Sequence, residues 1–253
     1  MKYIVFPVFI LCLFNVCFAD TMIVQRNLNN MFDTKLYENP TYDENNFGNN
    51  TTIALDNNSI GSDRIGLWMC DHWDTVGTEK TINYATLYMY FDAVNMTDSI
   101  DLRLMLKPWG EGNGDNIPVV GAADDNCWEH PDSSWTLNCA QSADDAGAFN
   151  RLDGSGPDRR ATPFASFLVT SGVTGWYSVV IPGSICNSWY NGSLTNYGVH
   201  IWRRTTTGAA SVCTIRASEW ADSATTPYIV IDYNASGEPP TTNRRRTIQM
   251  MDN

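Results

Sequence analysis

Apolar and polar positions alternate with a period of two along most of this chain. Ile100, Leu102, Leu104 and Leu106 are separated by Asp101, Arg103 and Met105. This spacing predicts a strand with its aliphatic side chains on one face and its charges on the other. Further short runs rich in β-branched and aromatic residues cover Thr51 to Leu55, Arg64 to Cys70, Tyr84 to Phe91, Ala165 to Val169, Trp176 to Ile181, Tyr197 to Trp202, Val212 to Ser218 and Tyr228 to Tyr233. Each is bounded by Gly, Asn, Asp or Pro clusters, as strands are. Beyond the first 19 residues, helical spacing is confined to Ile185 to Tyr190, where Ile185 and Trp189 stand one turn apart. The pattern predicts an all-β fold, a two-sheet antiparallel β-sandwich of jelly-roll type. No internal repeat is present, which argues against a solenoid or propeller.

Two segments interrupt the alternation. Glu111 to Asp158 is rich in Gly, Asp, Asn and Pro and too long for an ordinary connection, so it is either a functional excursion or a stapled one. From Asn234 onward the chain reads as a flexible tail that includes Pro239-Pro240 and Arg244-Arg245-Arg246. The basic triplet is a solvated end, a processing site or a contact with an acidic neighbour. The expected organisation is a leader over 1–19, the sandwich over 20–233 and the tail over 234–253.

The leader has a positive start at Met1-Lys2-Tyr3, an apolar run from Ile4 to Phe14, and Cys17-Phe18-Ala19 before the cut. This is the pattern of a secretory signal peptide. The apolar run stops at Asn15, short of the roughly 20 residues a spanning helix needs, so no membrane span is expected. Six glycosylation acceptors begin at Asn49, Asn50, Asn57, Asn95, Asn191 and Asn234. Together these features predict a secreted glycoprotein, extracellular or at the cell surface. Cleavage removes Lys2 and leaves 15 basic against 28 acidic side chains, a net charge of -13, which repels nucleic acid and anionic membrane.

Five cysteines follow the leader: Cys70, Cys127, Cys139, Cys186 and Cys213. Cys127 and Cys139 flank a short loop and are the expected disulfide; closing it contributes about 2–4 kcal/mol. The odd count leaves at least one thiol over, and the arrangement of the other three is open. A transition-metal centre is not expected, because His72, His130 and His200 are the only histidines and no CxxC is present. Calcium ligands are available at Asp124-Asp125-Asn126 and Asp144-Asp145, without calcium-loop spacing. No cofactor is expected.

Asp71, Asp74, Glu79, Glu111, Glu129 and Glu219 are candidate acids, but nothing in their spacing singles out a catalytic pair. A nucleophile elbow is also lacking, so the chain reads as non-catalytic. Binding suits the composition better, since sugar CH groups pack on aromatic faces while Asn, Asp and Glu engage hydroxyls. Trp128, His130 and Trp135 share one loop and are the leading carbohydrate-contact candidates, joined by Trp109 and Glu111. For Trp109, Trp176, Trp189 and Trp202, on or beside strands, the competing expectation is packing in the core.

The order of landmarks resembles the DNRLRE-type domain, the disaggregatase-related β-sandwich classed with carbohydrate-binding modules. The matching positions are Asp33-Thr34, Asn46-Phe47-Gly48, Ala85 to Tyr90, Trp109-Gly110-Glu111, Trp128 and Trp135. They continue with Trp189-Tyr190-Asn191-Gly192, Asn196 to Ile201, Ser218-Glu219, and Pro227 with Tyr228 to Tyr233. The resemblance spans Met22 to Tyr233 and implies a module that binds glycan or cell-surface polysaccharide. Ile181-Pro182-Gly183 stands where the family has Asp-Val-Thr, and Thr226 replaces a basic residue. A second expectation is structural. Thr21 to Gln25, or Thr247 to Met250, adds as a strand to the next copy and builds a head-to-tail filament. Otherwise Met22 to Gln25 is an ordinary edge strand of its own sheet.

Overall fold

The computed structural model describes residues 20–25, 31–37, 45–57, 64–71, 73–106, 108–109, 111, 117–118, 159–205 and 212–235. Within them the strands are β1 (Asp20–Gln25), β2 (Met31–Tyr37), β3 (Asn45–Asn46), β4 (Thr52–Leu55), β5 (Arg64–Cys70), β6 (Lys80–Val94), β7 (Asp98–Leu104), β8 (Ile117–Pro118), β9 (Ala165–Val169), β10 (Gly175–Pro182), β11 (Val199–Arg203), β12 (Cys213–Arg216) and β13 (Tyr228–Ala235). One helix, α1, covers Gly183–Tyr190. The fold is all-β, two antiparallel sheets packed face to face.

Sheet A runs β1-β13-β6-β12-β4, with β10 on the other edge of β6. Phe91 pairs with both Gly175 of β10 and Ile215 of β12, which puts those two strands on opposite sides of β6. Sheet B runs β2-β5-β11-β7-β9, and a small ribbon joins β3 to β8. From β4 to β7 the chain changes sheet at every step, and it does so again from β9 to β12. Such interleaving makes each sheet depend on the other, as the jelly-roll expectation requires.

Period-two alternation decides what fills the space between the sheets. Leu87, Met89 and Phe91 of β6, with Ile229 and Ile231 of β13, face Ile100, Leu102 and Leu104 of β7 across a single core. Each such side chain contributes about 1.5–3 kcal/mol on full burial. Helix α1 seals one end, where Trp189 packs on Trp73 with ring centroids 5.4 Å apart. Asn187 accepts from the Ile82 amide at 2.9 Å and donates to its carbonyl at 2.6 Å, satisfying β6 backbone just beyond Pro182↔Tyr84, where the pairing with β10 ends. At the β11 entry a tight approach requires glycine. Gly198 has φ +75, and a Cβ there would stand 2.3 Å from the Trp68 carbonyl oxygen.

The two outer faces differ. On sheet B, Ile65, Leu67 and Trp202 are covered by Met105 and Trp109 in a second apolar cluster. The charges of β7 are covered too. Asp101 is buried and takes ion pairs from Arg103 at 3.2 Å and Arg204 at 2.6 Å. The alternating strand therefore has a second buried face where the sequence pattern predicts a charged one, and ion pairing makes the burial tolerable. The outer face of sheet A is more open.

Candidate functional site

Cys127, Cys139, Trp128, His130 and Trp135 lie outside the described residues, as do Asp124-Asp125-Asn126, Asp144-Asp145, the leader and the tail beyond Ala235. Trp109 is placed in the interior. It is 7 % exposed and its indole Nε1 donates to the Tyr197 carbonyl at 2.7 Å, so this side chain packs rather than presenting a ring to a sugar. Trp189 and Trp202 are buried as well. Of the acceptor asparagines, Asn49, Asn95 and Asn191 are exposed and Asn50 is half-buried. Asn234 is half-buried, with its amide donating to Asn83 at 3.1 Å. Asn57 is buried, and its side-chain amide donates to the carbonyls of Arg203 and Arg204. A glycan at Asn57 requires that contact to open. Cys186 and Cys213 are interior, and desolvation pushes the Cys186 thiol up to about 12.

One aromatic array does face outward. On β6 the inward residues Ala85, Leu87, Met89 and Phe91 alternate with Tyr84, Thr86, Tyr88 and Tyr90 on the opposite side. Register places Tyr228 of β13 opposite Tyr88, and Trp176 of β10 opposite Tyr90. Tyr88 and Tyr228 stack at 4.6 Å with an interplanar angle of 7°. Trp176 leans across β6, edge-on to Tyr90 at 5.4 Å and to Tyr228 at 5.1 Å. It is 41 % exposed even so, because β10 has no strand beyond it among the described residues.

Polar groups end the array at the β12 side. The Arg216 guanidinium lies 4.2 Å from the Tyr90 centroid and 4.4 Å from that of Trp220. Asp92 holds it through an ion pair of 2.7 Å, and that hydrogen bond raises the Arg216 pKa above its ordinary value. Burial, with the neighbouring Tyr88, likewise pushes the Tyr228 phenol up. At the other end Asn83 donates to Asp232 at 2.6 Å. The result is an outward-facing aromatic array, its rings stacked on or edge-on to one another, between two sets of hydrogen-bonding groups. Ile23, Tyr84 and Val180 extend its apolar part.

Glu111 belongs to a second feature. One oxygen from each of Asp33, Glu111 and Glu219 comes within 4.8 Å of the other two. Glu111 accepts from the Asp33 amide at 2.8 Å, and Asp33 accepts from the Ser218 amide at 2.7 Å. Asp33 is 1 % exposed, whereas Glu111 and Glu219 are half-buried. The sequence places Glu111 and Glu219 together among the candidate acids, but Asp33, 186 positions from Glu219, enters only as a landmark of the family resemblance. Trp176 was read there as core; the in-phase tyrosines of β6 were the available signal for an aromatic face.

Comparison with protein-family models and with curated proteins found no match.

Proposed function

We propose that this chain is a secreted, N-glycosylated, non-catalytic module that binds a polysaccharide across the outer face of sheet A. The observation that carries the reading is the Trp176–Tyr90–Tyr228–Tyr88 array, outward-facing on a sandwich whose other outer face is covered. Aromatic faces take the CH groups of sugar rings, while Arg216, Asp92, Asp232 and Asn83 are placed to exchange hydrogen bonds with hydroxyls at either end. An array that runs across β13, β6 and β10 suits an extended chain better than a single sugar. The net charge of -12 favours a neutral or basic polysaccharide over an acidic one. The resemblance to the DNRLRE-type domain agrees with this class of ligand.

The filament alternative uses β1 in the next copy, or Thr247 to Met250, which lies outside the described residues. Here all six residues of β1 pair with β13 of the same chain, from Asp20↔Tyr233 to Gln25↔Tyr228, so the edge strand is already placed in its own sheet. That pairing favours recognition over assembly.

The test is retention of the secreted protein on a panel of insoluble neutral and basic polysaccharides, beside Trp176→Ala and Tyr228→Ala. Retention by one of them, weakened about two- to tenfold by Trp176→Ala, is the expected result, since an aromatic contact is worth about 0.5–1.5 kcal/mol. No retention on any of them, or retention by both variants equal to that of the wild type, overturns the reading. Polymers in negative-stain micrographs that vanish on deletion of 20–25 support the filament instead.

A further inference from the structure

We infer that Asp33, Glu111 and Glu219 hold a divalent cation, Ca2+, which ties β2 of sheet B to the segment after β7 and to the turn that follows β12 of sheet A. Two oxygens bound to one Ca2+ at about 2.3–2.6 Å stand no more than about 5 Å apart. The three carboxylates meet that condition, with one oxygen of each within 4.8 Å of the others.

Proximity alone does not make a site, because acidic side chains also cluster by chance. The second observation is the Asp33 carboxylate itself. Asp33 is 1 % exposed, and while its Oδ2 accepts from Ser218, its Oδ1 is buried with no hydrogen-bond partner. A buried acceptor without a donor is costly, of order 1–3 kcal/mol and more when charged. A cation at the meeting point of the three acids removes that cost and offsets their mutual repulsion.

The donor set selects the ion. Oxygen donors without imidazole or thiolate suit a hard cation, and three carboxylates around one ion fit Ca2+ better than Mg2+, which usually keeps its waters and takes one or two. The local backbone holds the ligands in place. The Asp33 amide donates to Glu111, and the Ser218 hydroxyl donates to both Glu219 oxygens at 2.9 Å. Glu219 precedes Trp220, whose ring carries Arg216. The ion thus fixes one margin of the aromatic platform as well as joining the sheets. It does not rest on the glycan reading, and its test uses no sugar.

The full secreted chain, stripped with EDTA, is titrated with Tb3+ and read by luminescence sensitised through its indoles, then with Ca2+ as competitor. The expected result is a Ca2+-displaceable site whose affinity falls at least about tenfold in Glu219→Gln and in Asp33→Asn. Saturating Ca2+ also raises the wild-type melting temperature by about 5–10 °C, an increase the variants lose. Should Asp33→Asn fail to fold, Glu219→Gln, at the half-buried side of the cluster, decides. No Ca2+-dependent shift in the wild type overturns the proposal. So does Ca2+ binding that is equally tight in Glu219→Gln, which places the ion elsewhere, and so does a preference for Mg2+.

Discussion

The side-chain amide of Asn57 donates to the main-chain carbonyl of Arg203 at 3.1 Å, across 146 positions of sequence and inside the fold. Asn57 is 4 % exposed, and the nitrogen that a glycan would occupy is the one committed to this contact.

Asn57 is therefore expected to stay unmodified while Asn95 and Asn191, both exposed, are occupied. Glycopeptide mass spectrometry of the secreted protein measures this site by site, and full occupancy of Asn57 would refute it. Asn57→Ala leaves the Arg203 carbonyl without this donor and destabilises by about 1–3 kcal/mol, read as a lower urea midpoint.

Arg203 carries a second prediction through its guanidinium. It is fully buried, with Nε 3.0 Å from Asp98 and Nη1 3.3 Å from Asp56. Asp98 also accepts from the Thr205 amide at 3.1 Å and hydroxyl at 2.7 Å. Asp98→Ala removes the nearer counter-charge and leaves a buried cation under-compensated, at a cost of about 3–5 kcal/mol. Replacing Arg203, Asp98 and Asp56 together by apolar residues, so that no member of the group is left charged and alone, costs much less than that. Denaturant unfolding of the two variants separates these outcomes, and equal losses would show that packing alone holds the region.

Much of the fold was legible because a half-buried strand advertises itself by alternation. The expected runs at 64–70, 165–169 and 228–233 coincide with or lie within β5, β9 and β13, and the one helical turn lies inside α1. β2 was hidden by chemistry: Asp33 and Lys35 occupy its middle, and no periodicity announces that Asp33 points inward. The platform was hidden for the opposite reason. In β6 both faces are rich in large side chains, so Tyr84, Tyr88 and Tyr90 read as core until the strand's inward set is known. The carboxylate cluster joins residues from three distant segments, and only the crossing of the chain between sheets brings them together.

His200 supplies the pH prediction. It points to the outer side of sheet B, fully buried against Trp202 at 5.4 Å. Burial, then the positive charges of Arg159 and Arg103, hold its pKa well below the ordinary 6.5. In the unfolded chain the imidazole takes a proton near 6.5, whereas the folded protein binds it only at lower pH. The unfolded state therefore binds more protons as pH falls, and linkage removes stability from about pH 6.5 downward, at up to about 1.4 kcal/mol per pH unit. The loss ends once pH drops below the folded-state value. Carboxyls whose pKa values are raised by folding, such as Asp56, act with the opposite sign in acid, so the His200 contribution is taken as the difference between wild type and His200→Gln. Urea midpoints from pH 7.5 to 5 should converge for the two proteins toward low pH, with the wild type losing more. An imidazole NMR signal of His200 that titrates near 6.5 in the folded protein would show that the ring is reached by solvent, and the difference in slope would then vanish.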